Sequence, residues 1–226
     1  MTPVLALLLL ALLPAGAPLE AGALDGSATF GRQLERFTQL AMEGRVDDAV
    51  AFLRQPGFLL AADHEGHTAL FAAAVACNTD VLDQVLARGP ELNHRDRRGA
   101  TALFYAASQG RLDVLHRLIQ HGADVNLPDG TGKTPLMVSV MMNHPDAARL
   151  LLAAGADPNR QDRDGATALL EAVEVGRYDL AALLLKHHAN SHLARNNGTT
   201  PLQAAQAKAN PKLVDLLRHE EDATDF

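Results

Sequence analysis

The sequence is poor in the residues that fill a ring-packed β core. It has no Trp, two Tyr and seven Phe, so aromatics reach only 4%. Leu and Ala must therefore carry the packing, which favours closely spaced helices over sheets. A single cysteine, Cys77, excludes a disulfide within the chain and any thiol-rich metal site. Positive charge is in deficit: 20 Lys and Arg stand against 27 Asp and Glu, a net charge of -7. Phosphate backbones need a clustered cationic face, so this balance speaks against nucleic acid as partner. Enzyme signatures are missing too. There is no G-x-S-x-G, no H-E-x-x-H, no glycine loop for phosphate and no C-x-x-C. The carboxylates recur at even intervals instead of pairing in a pocket. The chain is therefore expected to be no enzyme and to need no cofactor.

Long apolar runs are also scarce. The longest, Val4 to Leu13, has ten residues, about half of what a spanning helix needs. It has the length of a signal-peptide core, although no Lys or Arg precedes it. Ala15-Gly16-Ala17 and Ala21-Gly22-Ala23 both follow as small-residue cleavage sites. Pro18 makes the first a poor bond to cut, so residues 1–23 are expected to leave as an export signal. The mature chain is then expected outside the cytoplasm, in a periplasm first and secreted as the alternative. No membrane attachment is expected after signal removal, and the protein is expected to be a monomer.

What the sequence does have is repetition. Thr68, Thr101, Thr134, Thr167 and Thr200 follow one another at intervals of 33 residues. Gly66, Gly99, Gly132, Gly165 and Gly198 stand two residues before each. Asp63, Asp96, Asp129 and Asp162 form another column, as do Asn93, Asn126 and Asn159. Each unit reads as a glycine turn, a Thr helix cap, a short Ala-rich helix and a second helix with apolar residues at helical spacing, such as Val114, Leu115, Leu118 and Ile119. Pro135 and Pro201 fall at the first helical position, where proline is favoured. Gly122 and Gly155 end the second helix.

The segments TPLMVSV and TPLQAAQ, with HGADVN and AGADPN, resemble the ankyrin repeat from Asp63 to about Leu217. The resemblance implies an all-α solenoid of stacked helix-turn-helix repeats with β-turn tips. Residues 24–62 read as a degenerate N-terminal capping repeat. Residues 63–195 hold four repeats, at about 64–96, 97–129, 130–162 and 163–195. Residues 196–218 form a C-terminal capping repeat, and 219–226 a frayed acidic tail. The family's His after T-P-L is replaced by Phe71, Phe104, Met137, Leu170 and Gln203.

The resemblance also implies a scaffold that binds a protein partner on its concave side, made of tips and first helices. By column, this selects Arg95, Arg97, Arg98, Tyr105, Lys133, Met141, Met142, Arg163, Asp164 and Glu174 as candidate partner-binding residues. Met141 and Met142 are adaptable apolar contacts, and Arg95, Arg97 and Arg98 form a basic spot suited to a carboxylate-bearing partner. The chain resembles small exported bacterial ankyrin-repeat proteins, some associated with catalase, which implies a place in peroxide defence. The alternatives are a secreted effector imitating host ankyrin proteins and a histidine-based metal or haem carrier. The histidine groups in question are His187, His188 and His192, and His64, His67 and His94; surface and helix-end roles are favoured for both, and no metal site is expected. Cys77 is expected to be buried and inert. Asn197-Gly198-Thr199 matches a glycosylation acceptor but is also the turn that the repeat requires.

Overall fold

A computed structural model describes residues 26–224. The expected signal at 1–23 lies outside them. Twelve helices and no strand occur among the described residues. They come in six pairs: α1 Gly26–Met42 with α2 Val46–Phe52, α3 Ala69–Ala76 with α4 Thr79–Leu86, and α5 Ala102–Ser108 with α6 Leu112–Gln120. The array continues with α7 Pro135–Met141 and α8 Pro145–Ala153, α9 Ala168–Glu174 and α10 Tyr178–Lys186, and α11 Pro201–Ala207 and α12 Pro211–Thr224. Each helix packs on its own partner and on the matching helix of the next pair, so first helices form one layer and second helices another. No helix among the described residues is long and apolar enough to cross a membrane.

The two layers follow from side-chain size. Helix α3, ALFAAAVA, buries seven of its eight residues, because methyl side chains let α1 and α5 approach on both flanks. Helix α6 is amphipathic and buries only Val114, Leu115 and Leu118, each Leu contributing roughly 1.5–3 kcal/mol. The caps are as the Thr column requires in four of five repeats. The hydroxyls of Thr101, Thr134, Thr167 and Thr200 accept from the amide three residues on. Thr68 makes no such bond. Between the paired helices, residues 77, 110, 143, 176 and 209 all take positive φ, whether Gly or not.

At the first end, Phe58 stacks against Phe30, Phe37 and Phe52 with ring centroids 5.2–5.6 Å apart. Four of the scarce aromatic residues thus gather around the first helix pair. At the other end, α12 runs to Thr224. No Gly or Pro interrupts residues 212–223, so nothing in the sequence stops the helix.

Candidate functional site

Four of the five tips are built by an aspartate, Asp63, Asp96, Asp129 and Asp162. Asp96 Oδ1 accepts the amides of Arg98 and Ala100, both at 2.8 Å. Asp162 Oδ1 does the same for Asp164 at 3.0 Å and Ala166 at 2.8 Å. The tips are then joined into a row by backbone bonds: Arg97 N–H to Glu65 O at 2.9 Å, Gly130 to Arg98 at 2.6 Å, Arg163 to Thr131 at 3.1 Å and Asn196 to Asp164 at 3.0 Å. The close approach explains the tip glycines. A Cβ on Gly99, whose φ is +75°, would stand 2.7 Å from Gly130 N.

The second carboxylate oxygen of each buried aspartate is left to face the first-helix layer. Lys133 Nζ reaches Asp162 Oδ2 at 2.7 Å and Glu171 Oε1 at 2.8 Å. Burial disfavours the charged Lys133, yet the two carboxylates outweigh it and raise its pKa above the usual value. Burial likewise works against the Asp162 carboxylate, but the Lys133 bond and the Ala166 and Asp164 amides hold its pKa below the usual value. The same three places two repeats earlier hold His67, Asp96 and Tyr105. There the Tyr105 hydroxyl donates to Asp96 Oδ2 at 2.7 Å, and His67 Nε2 stands 3.7 Å from the same oxygen. Burial and then the Asp96 carboxylate raise the Tyr105 pKa, so the phenol remains a donor.

Of the residues selected by column, four are thus engaged within the fold. Lys133 and Tyr105 belong to these clusters. Arg95 donates to Gly99 O at 2.9 Å and Pro128 O at 2.7 Å, stapling two tips. Glu174 pairs with Arg195 at 2.8 Å. The rest face outward. Arg97, Arg98, Arg163 and Asp164 are exposed, and their side chains make no hydrogen bond or ion pair with the described residues. Met141 is half-buried at the far end of α7, and Met142 after it is 51% exposed. Val175, one period on from Met142, is exposed as well, and Tyr178 beside it extends the apolar edge.

Column reading missed Asp96, Asp162, Glu171 and Arg195. Their signal was present as pairs 29 and 38 residues apart, His67 with Asp96 and Tyr105 and Lys133 with Asp162 and Glu171. Cys77 is a correction: it is exposed, not buried. It occupies the left-handed position between α3 and α4, φ 58°, with its thiol 3.1 Å from Val75 O. Asn143, Gly176 and Ala209 in that column are exposed as well. No group of three or more His, Cys, Asp or Glu able to hold a metal occurs among the described residues. His67 faces carboxylates, whereas His94 Nε2 lies 3.0 Å from Gly66 O.

Short helix pairs stacked through tips define a repeat scaffold with an open surface. Residues 76–162 and 154–225 match the family described as ankyrin repeats. The chain therefore belongs to the ankyrin-repeat family. Among solved structures it is similar to an ankyrin repeat domain from Acinetobacter baumannii AYE, with 31% identity and a TM-score of 0.75. The likeness covers 82% of this chain and 97% of that one. Nothing among curated proteins matches. Ankyrin repeats are generally protein-interaction scaffolds, and the fold alone does not name what is bound.

Proposed function

We propose that this chain is an exported, non-enzymatic scaffold that captures a protein partner on its concave face. The observation that carries this is the set of unspent side chains there. Arg97, Arg98 and Arg163 are exposed cations without internal partners on a chain of net charge -7, and Met142 is a large apolar side chain left 51% exposed. Guanidinium groups favour bidentate carboxylate contacts, so the partner presents an acidic segment to the tips and an apolar side chain to the Met142 end. Export rests on the apolar run Val4–Leu13 and the small residues after it. Peroxide defence is proposed as the process on the resemblance of the sequence to small exported bacterial ankyrin-repeat proteins.

The test is capture from extract of the native compartment, with Arg97→Glu/Arg98→Glu and Met142→Asp variants alongside. A partner held by the wild type and lost by both variants, each still folded by circular dichroism, supports the reading. Equal capture by the charge-reversed variant contradicts it. Cell fractionation tests the location: full-length, uncleaved protein in the cytoplasm overturns export. Unchanged peroxide resistance after gene deletion overturns the proposed process.

A further inference from the structure

The joint between the first two tips is held by a titratable side chain where the joint between the third and fourth is held by a permanent cation. His67 Nδ1 lies 3.4 Å from Asp63 Oδ2 in its own tip, and Nε2 lies 3.7 Å from Asp96 Oδ2 in the next. Lys133 occupies the same column two repeats later and reaches Asp162 Oδ2 at 2.7 Å. Asp96 and Asp162 are alike in their tip bonds and burial. Each spends Oδ1 on two amides of its own tip, and their side chains are 2% and 3% exposed. The residues that follow each of them in the column, Ala100 and Ala166, are apolar, so this column supplies a cation only at these alternate joints.

We propose that His67 is a proton-operated clamp: protonated, it ties the first tip to Asp96 of the second, and neutral, it releases that joint. The remaining groups around the ring are consistent with this. Asp63 and Glu65 come from its own tip. Asp96 comes from the next tip, Tyr105 from α5, and Arg98 stands near Tyr105. From α3, the Phe71 ring lies 5.4 Å away. His94 sits beyond Phe71 and binds the Gly66 carbonyl. One period earlier, α1 offers the apolar Leu34 in this column. Tyr105 donates to Asp96 Oδ2 from the first-helix side, which fixes the oxygen that His67 faces.

Burial lowers the affinity of His67 for a proton, but the bond to Asp63 and the charges of Asp63, Asp96 and Glu65 outweigh it, and its pKa is raised above 6.5. A folded value above the unfolded one means that the tie is complete below the unfolded pKa and is lost as pH rises through the folded value. The clamp therefore opens as pH rises through a folded value above 6.5. Its consequence for a bound partner, a looser N-terminal part of the concave face, rests on the proposed concave-face function; the clamp itself does not.

The test is amide hydrogen exchange on the full chain without any partner, so failure of the clamp and failure of the binding reading remain separate. The Arg97 and Arg163 amides each span one of the two joints and serve as reporter and internal control. Between about pH 6 and about pH 9, the protection factor of Arg97 is expected to fall about fivefold relative to Arg163, at the low end of ordinary coupling because His67 is partly solvated. His67→Lys is expected to abolish the fall, and His67→Gln to hold Arg97 at the low value throughout. Arg97 tracking Arg163 in the wild type, or the same fall in His67→Gln, overturns the clamp. Should His67→Gln not fold, the wild type and His67→Lys decide the question alone.

Discussion

Replacing Lys133 with Met keeps most of the apolar stem and removes only the charge, leaving Asp162 and Glu171 facing each other. Their side chains are 3% and 8% exposed, that of Lys133 23%. Removing one partner of a fully buried pair costs about 3–5 kcal/mol. Lys133 sits at the rim, where water can enter the vacated place, so about 2–3 kcal/mol is expected. In a chain of this size that lowers Tm by roughly 5–10 °C. The pH dependence gives the more specific signature. In the wild type, the lowered pKa of Asp162 contributes stability that is present above 3.8 and lost as pH falls through its folded value. The raised pKa of Lys133 contributes stability that is present below 10.5 and lost as pH rises through its folded value. The variant lacks the Lys133 contribution and the share of the Asp162 contribution that Lys133 supplies, and acid relieves the repulsion between the two facing carboxylates. Thermal unfolding by circular dichroism should therefore show the gap between wild type and variant closing as pH falls through the carboxylate range. Lys133→Met/Glu171→Gln should recover part of the loss at neutral pH. A neutral-pH loss under about 0.5 kcal/mol, the level of an ordinary surface change, or a gap that stays constant in acid, would refute the reasoning.

Two further outcomes concern the backbone. Ala209 holds φ 49° in a column where Gly110 and Gly176 hold 65° and 70°; Ala209→Gly should therefore stabilise by about 0.5–1 kcal/mol, the left-handed strain of Ala less the added chain entropy, and chemical denaturation would read it. Gly122 and Gly99 both have positive φ, but a Cβ on Gly122 meets nothing within 4 Å whereas one on Gly99 meets Gly130 N at 2.7 Å. Gly122→Ala should thus cost about 1–2 kcal/mol and Gly99→Ala more than about 3 kcal/mol, and equal losses in thermal melts would contradict the close tip packing.

The repeat was legible because each element is specified locally and the specification recurs. One Thr cap or one turn glycine signifies little, but Gly99, Thr101 and Gly122 restate what Gly132, Thr134 and Gly155 say a period later. Contacts between repeats were less legible. Lys133 and Tyr105 look like free tip and helix residues until Asp162, Glu171 and Asp96 are brought beside them, 9 to 38 positions away. Arg95 reads as a surface cation, yet its guanidinium closes on the Gly99 and Pro128 carbonyls. Cys77 differs from its expected burial because small apolar residues precede it in sequence, whereas the chain has already turned toward solvent there. Conversely, Arg97, Arg98 and Met142 look the same in sequence and in structure, because nothing folds over them.

Position-specific photo-crosslinking tests concave-face capture most directly. A crosslinker at Ser108, on the first-helix layer, is compared with one at His116, exposed on a second helix, both in the full chain in its native compartment. One discrete protein crosslinked from Ser108 but not from His116, and lost on adding Arg97→Glu/Arg98→Glu without change in Tm, is the expected result. Equal crosslinking from both layers, or a partner indifferent to the two arginines, would contradict it.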